Sequence, residues 1–181
     1  MNPDILHYLN LFLGFGAILL QIVSVLALLM LVFRVQNIFL GFLKRYFLLL
    51  SFIVVLLATS FSLFYGEVVN FIPCYLCWYQ RIFMFPLVFL YGIALWYKDE
   101  AIARYTFPII VVGMLFALYQ NFFYYFRESS SLPCDASGVS CYQRLISEFG
   151  GYISLPMLSL TIFFTALVLV LINRFYKPEI I

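Results

Sequence analysis

Hydrophobic positions along this chain fall in long unbroken runs separated by short polar stretches, with no sustained alternation of polar and apolar residues. Runs of this kind are too long for buried strands and suit helices that are apolar on every side. A helix crossing hydrocarbon needs roughly 20 such residues. Five stretches qualify: Tyr8–Phe33, Tyr46–Tyr65, Trp78–Tyr97, Tyr105–Phe126 and Tyr152–Ile172. Tyr46, Tyr65, Trp78, Trp96, Tyr97, Tyr105 and Tyr152 fall near the proposed ends, where interfacial aromatics belong. The leader of the first run, Met1–His7, has neither Lys nor Arg, and no small-residue cleavage site follows. The run therefore reads as a retained helix rather than a signal peptide. Pro86 and Pro108 are expected to bend the third and fourth helices, and Gln21 and Ser24 to make packing contacts from the first.

Composition turns this pattern into a class. The chain has 181 residues, 66% of them hydrophobic and 10% charged, and a mean hydropathy of +1.07. A soluble domain is about half apolar and a quarter charged. Too little polar surface remains to cover a water-soluble globule. In hydrocarbon every backbone polar group must be paired internally, which leaves helices or a closed barrel. Barrel strands would alternate in polarity, and these runs do not. The expectation is one all-α integral membrane domain over residues 1–181. The net charge of +2 is small, and no basic patch of the kind a nucleic-acid partner needs is present.

Lys and Arg set the orientation. Arg34, Lys44 and Arg45 lie between the first two spans, Lys98 and Arg104 between the third and fourth, and Arg174 and Lys177 after the fifth. With five spans these places share one side. The opposite side has Arg127 and Arg144 in a long loop, and Arg81 at the mouth of the third span. The positive-inside rule then puts the N-terminus outside and the C-terminus in the cytoplasm. The long loop, 127–151, falls outside. Within it Tyr142, Leu145, Ile146 and Phe149 share one helical face, as in a segment lying flat in the membrane interface.

All four cysteines fall on the outer side: Cys74 and Cys77 at the start of the third span, Cys134 and Cys141 in the loop. Outside is the oxidising side, where disulfides persist. Two cysteines separated by two residues meet on one face of a helical turn. The unpaired N–H groups and partial positive charge of a helix N-terminus favour a thiolate there. Arg81 follows Cys77 by four residues, on the same face. An ionisable residue just inside a span is costly and points to function: it can favour a thiolate or hold a polar quinone oxygen. The bland readings are a static staple or half a zinc site for Cys74–Cys77, snorkelling to the headgroups for Arg81, and a loop clip for Cys134–Cys141. The short ring of the second pair contains Asp135, Ser137 and Gly138, turn formers that favour an accessible bridge open to exchange. Gln80 adjoins Arg81 in the same turn. Gln120 and Asn121, near the outer end of the fourth span, can line the same pocket or serve as interhelical hydrogen bonds, the commoner role.

The stretch Pro73-Cys-Tyr-Leu-Cys-Trp-Tyr-Gln-Arg-Ile-Phe-Met-Phe-Pro86 resembles the DsbB family of disulfide-bond formation proteins, especially its short BdbC-like branch. The second pair within Leu132–Cys141 and the run Gly151-Tyr-Ile-Ser-Leu-Pro-Met-Leu-Ser-Leu160 are similar too. The likeness covers roughly Tyr46 to Ile172. It implies a four-helix transmembrane bundle over 46–172, to which this chain adds an N-terminal span at 8–33. The second cysteine pair is also closer together than in the better-known DsbB branch. The resemblance further implies a bacterial inner-membrane oxidoreductase that supports disulfide bond formation in extracytoplasmic proteins. A reduced DsbA-like thioredoxin-fold partner would attack the Cys134–Cys141 disulfide at Cys134. That pair would be reoxidised by Cys74–Cys77, and Cys77 would face a membrane quinone, ubiquinone or menaquinone, beside Arg81 and Gln80. Catalysis would thus fall to Cys74, Cys77, Cys134 and Cys141, and cofactor binding to Arg81, Cys77 and Gln80, with no metal. The competing readings are a transporter carrying electrons outward, a non-catalytic scaffold with two disulfide staples, and the related vitamin K epoxide reductase type.

Overall fold

A computed structural model describes residues 3–126 and 149–177. Cys134, Cys141 and most of the expected interfacial segment lie outside the described residues. Among the described residues six α-helices follow one another: α1 (Pro3–Val32), α2 (Ile38–Arg45), α3 (Phe47–Leu63), α4 (Tyr75–Tyr97), α5 (Ile102–Phe126) and α6 (Leu155–Phe175). A π-helical turn, Phe64–Val68, extends α3, and a 3-10 turn, Phe149–Gly151, precedes α6. Among the described residues five segments are long and apolar enough to span a membrane: Leu6–Val32, Phe47–Val68, Tyr75–Tyr97, Ile102–Phe126 and Leu155–Phe175. The all-α membrane architecture expected from the runs is thus the one found, with some ends displaced by about a turn. α4 and α5 each start three residues earlier than expected, and α6 runs on to Phe175. Both α4 and α5 continue unbroken past Pro86 and Pro108.

Local chemistry fixes the helix ends. Asn37 caps α2, its side-chain oxygen accepting from the Phe39 N–H, and Lys44 and Arg45 occupy the last turn, where cations suit the carbonyl end. Ser154 caps α6 by accepting from the Met157 N–H at 3.3 Å, with Pro156 in the first turn, where its missing N–H costs nothing. Lys98 ends α4 in the left-handed region at φ 54°.

α3, α4, α5 and α6 form a closed ring in which each packs on the next and α6 returns to α3. Tyr91, Phe47, Phe163, Leu87, Ile110 and Ile172 fill its centre and are almost wholly buried. α1 docks outside the ring against α6, and touches α2. Lipid tails are as apolar as the helices, so no hydrophobic force drives such docking; packing and interhelical hydrogen bonds must do it. A polar ladder supplies these. Gln21 Nε2 donates to Thr161 Oγ1 at 2.7 Å, Ser24 and Thr165 hydroxyls pair at 3.0 Å, and Tyr152 OH donates to Gln21 Oε1 at 3.0 Å. Gln21 and Ser24 are the packing contacts expected of them.

Hydrogen bonds at one end join Lys44 Nζ to the Tyr176 carbonyl at 2.6 Å and Asn173 Nδ2 to the Glu100 carbonyl at 3.3 Å. The basic residues Arg34, Lys44, Arg45, Lys98, Arg104, Arg174 and Lys177 therefore gather at the end of the bundle opposite Cys74 and Cys77.

α5 packs closely on α6. A Cβ placed on Gly113 would overlap the ring of the buried Phe163. Gly113→Ala is therefore expected to destabilise the bundle by about 1–3 kcal/mol, the usual cost of overpacking. A lower thermal midpoint in detergent is the predicted result, and an unchanged midpoint would show that the seam can open without cost.

Candidate active site

The site is built where the π-helical turn after α3 faces the first turns of α4. From Asn70, held at φ 56°, the chain runs without regular structure through Pro73 to Cys74, which serves as the N-cap of α4 at φ −68°, ψ 168°. The Trp78 N–H closes the first turn on the Cys74 carbonyl at 3.1 Å. The three-residue spacing then brings Cys74 Sγ to 3.4 Å from Cys77 Sγ. Side-chain rotation alone could bring two sulfurs this close to a bond of about 2.05 Å. Both are thiols here.

The two sulfurs are not equivalent. Cys74 is buried, packed with Leu76 and near Phe116. Cys77 is half-buried and lines a cavity of about 420 Å³. One amide serves both: Gln120 Nε2, from α5, lies 3.6 Å from Cys74 Sγ and 3.4 Å from Cys77 Sγ. Gln80 Nε2 in turn donates to Gln120 Oε1 at 2.7 Å, fixing which end of Gln120 faces the sulfurs. Asn121 goes elsewhere. Its Nδ2 donates to the carbonyls of Ala117 and Pro156, both at 2.8 Å, so it acts as an interhelical tie.

Arg81 does not snorkel. It is 8% exposed and turns inward, Nε donating to Ser62 Oγ at 2.9 Å and Nη2 to the Ser62 carbonyl at 2.7 Å. The guanidinium also lies over the Trp78 ring, 5.4 Å from its centroid. Ser62 sits where α3 passes into the π-helical turn. Such turns disturb the regular carbonyl ladder and recur at functional sites. Gly66, inside that turn, leaves the room: a Cβ there would stand 3.1 Å from Arg81 Nη2. Sequence reasoning singled out Arg81 but found neither Ser62 nor Gly66. A serine and a glycine near the end of an apolar run carry no distinguishing signal.

Cys77, Gln80, Arg81 and Gln120 line one side of the cavity, and Ser62 and Tyr65 adjoin them. The rest of the wall is mainly apolar, from α1, α3 and α6. The Ser159 hydroxyl of α6 belongs to a lining residue, is buried, and has no hydrogen-bond partner among the described residues. An apolar chamber with convergent donors at one side and an unpaired hydroxyl suits a flat apolar ring bearing carbonyl oxygens. A quinone has that chemistry, and the donor set fits it.

A ring of membrane helices with a close dithiol at a helix N-terminus defines a membrane protein equipped for thiol–disulfide chemistry. The comparisons make this specific. The family model for "Disulfide bond formation protein DsbB" matches residues 44–173. A probable disulfide formation protein C 2 of Bacillus anthracis is 35% identical over 136 residues, covering 75% of this chain and 96% of the relative. Disulfide bond formation protein C of Bacillus subtilis is 36% identical over 138 residues, covering 74% and 96%. A probable disulfide formation protein of Metapseudomonas resinovorans is 38% identical over 133 residues, covering 72% and 92%. No solved structure matches. The chain belongs to the DsbB family of disulfide bond formation proteins and is a membrane thiol oxidoreductase. The matched region begins beyond α1.

The fit between Gly66 and Arg81 can be checked optically. The chain has two tryptophans, so Trp96→Phe isolates Trp78. Gly66→Leu is expected to push the guanidinium off Trp78 and shift its emission as Arg81→Ala does. Gly66→Ala needs only a few tenths of an ångström and should shift it little. Identical spectra for Gly66→Leu and the parent would refute the contact.

Proposed function

We propose that the protein is a quinone-dependent thiol oxidase that reoxidises a DsbA-like thioredoxin-fold partner. The observation that carries this reading is the placement of Cys77 on the wall of an apolar cavity beside Arg81, with its redox neighbour Cys74 behind it. In this reading the cysteine end of the bundle is extracytoplasmic, with the N-terminus outside and the C-terminus in the cytoplasm. The basic residues gathered at the opposite end support that orientation, and bacterial relatives named as disulfide formation proteins support a bacterial cell membrane.

The relay starts with a partner thiolate attacking Cys134 of the Cys134–Cys141 disulfide, which releases Cys141 as a thiolate. The partner's second thiolate resolves the mixed disulfide. The partner leaves oxidised and the loop pair is left as a dithiol. A loop thiolate then attacks Cys74 of a Cys74–Cys77 disulfide, and resolution restores the loop disulfide. Two electrons now reside on the Cys74–Cys77 dithiol, with Cys77 facing the cavity. Bound quinone supplies the two-electron, two-proton acceptor. The residues around it bind and orient. The Arg81 guanidinium lies within the cavity wall to stabilise negative charge on sulfur or oxygen in a medium where charge is poorly solvated. Gln80 holds Gln120, which donates toward both sulfurs. The apolar walls exclude water.

Cys74→Ser and Cys77→Ser are each expected to abolish quinone-dependent oxidation of a reduced DsbA-like partner, followed by quinone absorbance with the detergent-solubilised protein. Unchanged turnover in either variant would sink the relay. Arg81→Ala should raise the quinone KM about tenfold, a loss of about 1.4 kcal/mol, while thiol exchange with the partner changes much less. Equal losses in both steps would argue against a quinone role for Arg81.

A further inference from the structure

α1 lies outside the matched family region, yet it supplies one wall of the cavity. Its contribution is wholly apolar: Phe12, Leu13, Gly16, Ala17 and Leu20. It is held on α6 by the Gln21 and Ser24 ladder. At the cysteine end, Asn10 accepts a buried hydrogen bond from Tyr65 OH. Between that clasp and the ladder α1 makes no comparable interface with α3, and the cavity occupies the space between them.

The residues flanking this gap are both cavity-lining and exposed. Phe12 is 71% and Leu57 of α3 is 52% exposed, and Gly16 is exposed too. The cavity thus reaches the face of the protein that lies against lipid. Gly16 stands at its edge, and a Cβ added there meets nothing within 4 Å among the described residues. Glycine inside a helix costs about 1 kcal/mol relative to alanine. Gly113 has a packing reason, the Phe163 ring, whereas Gly16 borders open space.

We propose that α1 and α3 flank a lateral passage for the isoprenoid tail of a lipid-borne quinone, and that Gly16 sets its width. The proposal rests on the quinone reading above. A ligand with a polar head and a long apolar tail must reach Cys77 and Arg81 from the bilayer. The cavity has that polarity, with donors on the α4 and α5 side and only apolar groups on α1. The tail then lies in the notch at Gly16, and the head points inward.

The test uses the full chain in detergent and two probes: a benzoquinone carrying an isoprenoid tail, and a tail-less tetramethyl benzoquinone. Binding is read as quenching of Trp78 emission in the Trp96→Phe background, and turnover as quinone KM with reduced partner. Gly16→Leu is expected to weaken binding and raise KM for the tailed quinone about tenfold, and for the tail-less one by less than about twofold. Gly16→Ala should change either by less than about threefold. Leu57→Trp narrows the gap from α3 and should reproduce the pattern, which keeps the idea testable should Gly16→Leu misfold. Equal effects on both quinones, or none on either, overturn the passage. A Cys77→Ser variant separates the two claims. If it still reduces quinone, the quinone reading fails. If it does not, and Gly16→Leu leaves tailed-quinone binding intact, the passage alone fails.

Discussion

A guanidinium buried in a membrane bundle must be solvated by the protein, because lipid cannot do it. Arg81 organises this end of the molecule for that reason. Its two hydrogen bonds go to a single residue, Ser62, which ties α4 to α3 at one level. The π-helical turn follows immediately, and Gly66 within it gives the guanidinium its space. The Trp78 face covers it from its own helix. With Arg81 fixed, the first turn of α4 is fixed, and so is the side from which Cys77 meets the cavity. The same cation would be a liability in a bundle with no chemistry to perform.

Away from Arg81 the bundle follows the ordinary logic of helices in lipid. Small residues permit close approach, as Gly113 does against Phe163, and hydroxyl and amide side chains cross-link neighbours. Each such bond in a membrane contributes only about 0.6 kcal/mol on average. The α1–α6 ladder is therefore a means of setting rotation and register as much as of stabilising. That rotation turns Leu13 and Ala17 inward and leaves Gly16 at the edge of the gap.

Much of this was legible in the chain. Length of apolar run gave five spans, because a bilayer has one thickness and helices one rise. Clusters of Lys and Arg gave one end of the bundle, and the hydrogen bonds of Lys44 and Asn173 bring those clusters together. Cys74, Cys77 and Arg81 stand out by spacing and Gln80 as the neighbour of Arg81; Cys77, Gln80 and Arg81 line one cavity, with Cys74 beside Cys77. α2 was missed because its apolar and basic residues merge into the flank of the next run. Ser62 as the partner of Arg81, and Gln120 as the amide reaching both sulfurs, depend on how neighbouring helices are rotated. One sequence carries no signal for that rotation. The wall made by α1 was illegible for the same reason.

The end of α5 and the start of α6 are fastened together: Tyr125 OH donates to the Tyr152 carbonyl at 2.5 Å and meets Ser154 Oγ at 3.1 Å. The segment bearing Cys134 and Cys141 connects these two points, so its two ends are held together. In the proposed relay the second pair therefore need not find the first by diffusion through bulk solvent. Their meeting is intramolecular, governed by an effective concentration on the order of millimolar for a short tether. Internal exchange then proceeds at a rate independent of how much protein the membrane holds, and only the encounters with partner and quinone respond to supply.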